Sequence, residues 1–476
     1  MPQLCILPAE SAMERYLLYR SQQTKSKSEF LRRTKMKLPE FVRLLRGETA
    51  TDSRPNKALE FPYGNPAFPH TKKWEAIVAH GVASALAEPL CSQGTPPKNH
   101  PSLARALNIT VNNTRKGQDK NQYLVLSLDL VHQLDGVFCS PFGAIPKGDA
   151  DLSKDARIIH DLSLPGSGSL NACTDPYGTI KADYDGARLL AQRILDVDAE
   201  FPSKARMLFG GVSGAFRNIP VHANRVRRFA GTIPELGILV IDLCCPFGWR
   251  NSPGKYGIAG SAINHLHRQS APRWPDQPAS GSQVFDGKVW CDDHNCIEPD
   301  IDSRLAEAEL SLRRSMITIL GPDACNEDEF TQWFEIGTSL GLIWNLTEQH
   351  LSMPPAKITK ALNRVMAMKK AILTTKTELN QLLSSLRHRL SALLRQSSRG
   401  IPICVTAAAH DDLAWFEVIL RTERLNKISF GRFAMRDVPA IKLFMDANDC
   451  GLCVLNPARK EYIQVELDHE ELEQIR

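Results

Sequence analysis

Apolar and polar positions along the chain predict a mixed α+β protein, without the regular strand–helix alternation of a parallel sheet. NSPGKYGIAGSAINHLH (251–267) reads as a helix, with Asn251 or Ser252 as cap and Pro253 in its first turn. DGKVWCDDHNCIE (286–298) reads as a β-hairpin, with apolar flanks and Asp, His and Asn at the turn. LGLIWNLTEQHLSM (340–353) predicts a second hairpin. From Pro354 to about Leu394 the period is helical, and Thr375-x-x-Glu378 offers a capping box that opens the second of two helices. AIKLFMDANDCGLCVLNPARKEYIQVEL (440–467) returns to β. PLCSQGTPPKNHPS (89–102) and QSAPRWPDQPASGSQ (269–283) are rich in Pro, Gly and Ser and predict loops or linkers. No internal repeat is visible.

Size and composition narrow the class. At 476 residues the chain predicts two to four domains or subdomains. Its 43% hydrophobic and 23% charged residues are ordinary for a globular protein. No apolar run reaches the ~18–20 residues that span a bilayer. The opening MPQLCILPAESAMERYLL lacks the charged and apolar regions of a signal peptide, so a cytoplasmic or nuclear protein with no membrane partner is expected. The 12 cysteines are scattered, and reduced thiols are expected. The net charge is +5, and residues 1–60 hold 12 Lys/Arg against 7 Asp/Glu, leaving 46 of each elsewhere. The whole excess therefore lies around KSKSEFLRRTKMK, which suits a polyanionic partner or is simply a solvated basic arm.

The candidate chemistry centres on Asp292 and Asp293. Neighbouring side chains on a straight strand point to opposite faces, so two adjacent carboxylates share one metal region only where the backbone turns. Their mutual repulsion is relieved by a divalent cation. Mg²⁺ suits such a place, because it takes one or two carboxylates and completes its shell with water and phosphate oxygens. Two other readings are an acidic turn in water and a Cys/His knuckle in CDDHNC, though zinc needs about four ligands. Asp411 and Asp412 form a second Asp-Asp pair, read as opening an apolar helix, where acidic residues favour the N-terminal dipole.

The order of segments around the first pair carries more than the pair itself. SPFGAIPKGDADLSKDARIIHDL, GGVSGAFRNIP, CPFGWRNSP, WCDDHNC and LGLIWNLTEQHLSMPPAKI follow one another along the chain. In this order and spacing they resemble the successive motifs of reverse transcriptases, especially those of DIRS-like retrotransposons, over roughly residues 95–476. The resemblance implies a right-hand polymerase fold of fingers, palm and thumb, with a helical connection and a partial RNase H-like segment. Expected boundaries are a basic extension at 1–94, fingers and palm at 95–350, thumb and connection helices at 351–435, and a truncated RNase H-like segment at 436–476. It implies RNA-directed DNA polymerisation by two-metal nucleotidyl transfer. The implied cofactor is Mg²⁺, with Mn²⁺ as an alternative. The implied partners are an RNA/DNA primer–template and deoxynucleoside triphosphates.

Carried over position by position, Asp292 and Asp293 match the paired metal-site aspartates. Lys147 and Arg157 match the residues that hold the triphosphate, tasks that suit a point charge and a planar fork. Phe216 matches the bulky residue that excludes a ribose 2′-hydroxyl, and Phe247 with Gly248 match the nucleotide and template pocket. HLSMPPAKI matches the primer grip and the start of the thumb. Each has a plainer reading: a solvated lysine, an arginine paired with Asp155 or Asp161, a core phenylalanine.

One departure matters for activity. The family's third metal ligand is an aspartate just before the valine of the GGVSGAF segment, and Gly211 stands there. The carbonyl of Val212 can still reach a metal but brings no full charge, and Asp242, on a different predicted strand, is a poor substitute. A ligand worth ~4 kcal/mol would cost about 10³-fold in rate if simply absent, so weak or no polymerase activity is expected. The alternative is an inactive nucleic-acid-binding relic. Asp446 occupies the place of a first RNase H aspartate, and Glu470 or Glu471 of the next. About forty residues cannot complete that core alone, so no nuclease activity is expected.

Overall fold

The computed structural model describes residues 9–64, 68–147, 150–271, 284–375, 378–379, 382, 403–422, 426–434, 443–448 and 451–466. The chain divides into two compact units, one of Met1–Gly186 with Phe201–Leu340, the other of Ala187–Glu200 with Gly341–Arg476.

In the first unit the strands are β1 (Tyr123–Ser127), β2 (Phe142–Pro146), β3 (Ala156–His160), β4 (Ala205–Val212), β5 (Ala230–Ile233), β6 (Ile238–Asp242), β7 (Gly287–Trp290), β8 (Asp293–Pro299) and β9 (Cys325–Asn326). They form an antiparallel sheet in the order β7-β8-β4-β9, a second sheet β1-β6-β5, and the hairpin β2-β3. β8 lacks the alternation of a half-exposed strand, because His294 to Pro299 are all buried. The polar members of that run are handled one by one. Glu298 accepts from Arg304 Nε at 2.7 Å and from the Asp286 amide at 2.8 Å. Burial pushes the His294 imidazole down to about 4, so it stays neutral inside.

Among the helices that pack on this core, two lie against the β7-β8 hairpin. Ser252–Gln269 starts after Asn251 with Pro253 in its first turn, where a missing amide costs nothing. Asn251 adds no side-chain cap and instead donates to the Asp175 carbonyl at 2.8 Å. Arg304–Leu320 buries Leu312, Met316 and Ile319 along one stripe. Each such side chain contributes about 1.5–3 kcal/mol of apolar burial. The helices are tied together by His267, whose Nδ1 lies 3.1 Å from Ser311 Oγ.

The second unit contains the helix Ala187–Glu200 and the predicted second hairpin, Leu342–Asn345 with His350–Ser352. Helices Pro355–Lys370 and Ala407–Thr422 bury Val365 and Leu413 in a separate core. The capping box forms as expected: the Thr375 amide donates to Glu378 Oε2 at 2.9 Å, and the Glu378 amide to Thr375 Oγ1 at 3.2 Å. Most of the helix expected to run on to Leu394 lies outside the described residues. Strands Phe444–Asn448, Gly451–Asn456 and Glu461–Glu466 form an antiparallel meander, so the C-terminal return to β holds. Asp411 and Asp412 do not open their helix. It begins at Ala407, after Thr406, whose Oγ1 accepts from the Ala409 amide at 3.3 Å. A threonine hydroxyl caps the first turn, and the acidic pair falls one turn later. Among the described residues no helix is long and apolar enough to cross a membrane.

Candidate active site

The hairpin expected at 286–298 is β7-β8, and its turn is tighter and earlier than the polar run suggests. Trp290 pairs with Asp293, leaving only Cys291 and Asp292 at the turn. His294 and Asn295 sit inside β8, 1% and 0% exposed, rather than at the turn. Cys291 carries the reversal at φ 59, a position where two-residue hairpins favour glycine. The turn separates the two carboxylates by backbone type, Asp292 in the loop and Asp293 on the strand, which is how adjacent residues avoid opposite faces.

β4 lies beside this turn. Gly211 is the register partner of Asp293, and the Val212 amide donates to the Asp292 carbonyl at 3.1 Å. Gly211 therefore faces the pair across the sheet. Its φ lies outside the left-handed region, so no backbone need accounts for the glycine. What fills its side-chain space is Glu329. A Cβ built on Gly211 would overlap Glu329 Oε2 and lie 3.1 Å and 3.2 Å from that residue's Cβ and Cδ. Burial first, then Asp292 and Glu329, push the Asp293 carboxyl up to about 6. Among the described residues no three His, Cys, Asp or Glu side chains form a ready-made metal cage. Two half-buried aspartates beside open cleft space fit Mg²⁺, which keeps water and phosphate in much of its shell. Cys291 and Cys296 are both free thiols, one at the turn and one buried with Sγ 3.4 Å from His267 Nε2.

Past β4 the chain turns through Gly214 and Ala215, at φ 68 and 28, into a short 3₁₀ segment. That turn brings Phe216 against Phe247, centroids 4.9 Å apart, and against Tyr256 at 5.9 Å. Phe216 is 8% exposed and Phe247 47%, so one ring supports and the other presents a face to the cleft. Gly248, at φ 117, passes the His160 carbonyl so closely that a Cβ would sit 2.5 Å from its oxygen. Glycine is required there by both conformation and space.

A cleft of about 1000 Å³ brings much of the expected set together: Lys147, Arg157, Phe247 and Asp292 line it, with Arg217 and Lys120. Lys147 and Arg157 stand on the β2-β3 hairpin, next to Gly148 and Asp149, which lie outside the described residues. Lys147 pairs with Asp155 at 3.3 Å, both about half exposed, a contact worth little in water. Asp161 is taken by His100 at 2.9 Å, and exposed Arg157 makes no ion pair among the described residues. Glu470 and Glu471 lie outside the described residues. The backbone of Asp446 pairs with Cys453 in the meander.

Sequence reasoning missed Arg217. It is bound to Asp242, donates to Tyr123 Oη at 2.7 Å, and sets its guanidinium 4.8 Å from the Tyr123 ring and 5.9 Å from that of Phe247. Asp242 is 1% exposed and also meets His160 Nδ1 at 2.9 Å. Burial opposes its charge, but Arg217 and His160 outweigh that and hold the carboxyl below the usual range. An anion neutralised in this way braces the cleft wall and is not free for a metal.

No family model and no curated protein matches the chain. Among solved structures it is similar to a foamy viral protease–reverse transcriptase in complex with an RNA/DNA hybrid, at TM-score 0.49 and 13% identity, over 82% of this chain and 46% of that one. A dRH form of the foamy viral protein in complex with double-stranded DNA gives 0.47 and 12%, over 83% of this chain and 62% of that one. The chain thus spans less than two thirds of either protein, and similarity at this level assigns no role to its residues.

Proposed function

We propose that this chain is a template-directed nucleotidyltransferase of the reverse-transcriptase type, an RNA-directed DNA polymerase of a retroelement, with residues 95–350 as fingers and palm. The observation that carries the reading is the two-residue turn that sets Asp292 and Asp293 against the end of β4, with Asp292 on a cleft shared with Lys147, Arg157 and Phe247. Asp292, Asp293 and the Val212 carbonyl would hold Mg²⁺. When bound, the ions would lower the cost of the charge that develops on the attacking and leaving oxygens. Lys147 and Arg157 bind the triphosphate by charge and by forked hydrogen bonds. Phe216, braced by Tyr256, limits the space beside the sugar, and the exposed face of Phe247 offers a surface for a base to stack on. In the reaction the primer 3′-hydroxyl loses its proton to solvent, its oxygen bonds to the α-phosphorus, the bond from that phosphorus to the bridging oxygen of the β-phosphate breaks, and pyrophosphate leaves.

Gly211 leaves β4 without a carboxylate of its own, and this favours a second reading, a chain that binds primer–template but does not extend it. Primer extension on an RNA template with Mg²⁺, and with Mn²⁺, separates the two. The polymerase reading expects slow extension that D292N or D293N abolishes. Binding without extension under either metal supports the relic. No binding of primer–template even at low salt, where phosphate contacts are strongest, would refute both.

A further inference from the structure

We propose that Glu329 supplies the third carboxylate of the metal site, reaching from the segment after β9 into the space left by the missing side chain at Gly211. This rests on the reading of Asp292 and Asp293 as metal ligands and adds a residue from a different part of the chain.

Three observations support it. First, the Glu329 carboxylate occupies the volume a Cβ at 211 would take, beside the strand position that faces Asp293. It is therefore placed on β4's side of the pair. Second, β9 fixes this approach: Asn326 pairs with Gly211, and the Glu329 amide donates to the Asn326 carbonyl at 2.9 Å. The glutamate hangs from a short turn anchored to the strand that lost its ligand. Third, the Tyr256 hydroxyl is buried with no hydrogen-bond partner among the described residues, and Asp292 and Asp293 are among the groups whose charge acts on it, with Cys291 and Tyr184. A donor held inside the protein without a partner is costly, and a water held by an ion at the aspartate pair would satisfy it.

The chemistry is self-consistent. Glu329 is exposed, so its carboxylate is hydrated and free to rotate about its own bonds toward an ion. Its side chain is one methylene longer than aspartate, and it starts from a neighbouring segment, so it can reach the same region from a displaced Cα. Three carboxylates carry enough negative charge to balance most of two divalent ions, where two leave more of that task to the triphosphate.

The test uses Mn²⁺ binding to the full chain, followed by electron paramagnetic resonance of the free ion, so that no catalysis is needed. E329Q should weaken Mn²⁺ binding at least about tenfold, and D292N/D293N should abolish the tight site. D328N removes the same charge from the adjacent exposed residue and should change binding less than about twofold. Thermal melts of each variant confirm folding. If E329Q binds as wild type does while D292N/D293N loses the site, Glu329 is not a ligand and the two-aspartate reading stands. Equal weakening by D328N and E329Q would reduce Glu329 to a general field effect and overturn the proposal. Wild-type binding no tighter than D292N/D293N would overturn the proposal together with the reading beneath it.

Discussion

Placing any side chain at 211 should expel Glu329, and this makes Gly211 the most informative position in the molecule. A Cβ there overlaps Glu329 Oε2 and sits 3.1 Å from Glu329 Cβ, tighter than ordinary contact. Glu329 is exposed, so it can swing aside for roughly 0.5–1.5 kcal/mol of rotamer cost. Replacing a strand glycine returns about 0.5–1 kcal/mol of chain entropy. The two nearly cancel, and G211A should unfold within about 1 kcal/mol of wild type in a denaturant titration. Its Mn²⁺ affinity should nonetheless fall as far as that of E329Q, at least about tenfold, or ~1.4 kcal/mol. G211D exchanges one carboxylate for another and should bind Mn²⁺ within about threefold of wild type, with a primer-extension gain well below the ~10³-fold expected of an empty ligand position. The two sites must then be coupled: E329Q costs tenfold or more in the wild type and less than about twofold in the G211D background, a non-additivity of about 1 kcal/mol or more. The reasoning fails if G211D raises extension about a thousandfold while E329Q is silent in both backgrounds.

Other positions give independent checks. D242N would leave the Arg217 guanidinium buried without its anion, and should cost about 3–5 kcal/mol in denaturant unfolding; a loss under ~1 kcal/mol would mean the pair is solvated. G248A forces a Cβ against the His160 carbonyl at φ 117 and should cost about 2 kcal/mol or more in denaturant unfolding; a loss under ~0.5 kcal/mol would mean the loop relaxes freely. K147A and R157A should each weaken deoxynucleotide binding roughly tenfold in a competition assay while leaving the melting temperature within about 2 °C. Burial holds the His267 imidazole down at about 3, so the folded protein keeps it neutral. The stability this gives is complete above the unfolded value of 6.5 and is lost progressively as pH falls from there to the folded value. By pH 5 its share of the loss is about 2 kcal/mol, and H267F should flatten the stability–pH profile between pH 7 and 5 by about that amount.

Local signals in the sequence translated well, and long-range ones did not. Pro253 after Asn251, the Thr375–Glu378 box and the hairpin pattern of LGLIWNLTEQHLSM (340–353) are all local, and the structure shows a helix, a cap and a hairpin there. The turn of the Asp292–Asp293 hairpin was misread by one to three residues because His294 and Asn295 look like turn residues. Burial on both faces of β8 keeps them inside the strand, and the neutral state of His294 makes that tolerable. Asp292, Lys147, Arg157 and Phe247 were legible as a set only through motif order, and they do share one cleft. Arg217 and Glu329 were not legible. Their meaning lies in partners far along the chain, Asp242 and Tyr123 for one and an absent side chain at 211 for the other. A glycine in sequence reads as a loss, and only the third dimension shows what has moved into its place.

The position of β4 at the centre of its sheet sets when this site can exist. Its partner β8 lies roughly 80 residues downstream, and Glu329 roughly 120 residues beyond Gly211, so the carboxylates meet only after two long loops have closed. Such distant pairings come late in folding, once loop-closure entropy has been met by neighbouring contacts. During synthesis, the residues that would capture a divalent ion therefore stay apart until Glu329 has been made and β4 is flanked on both sides. On the proposal above, tight metal binding marks a finished sheet, and a chain caught short of that point is a poor trap for free divalent ions.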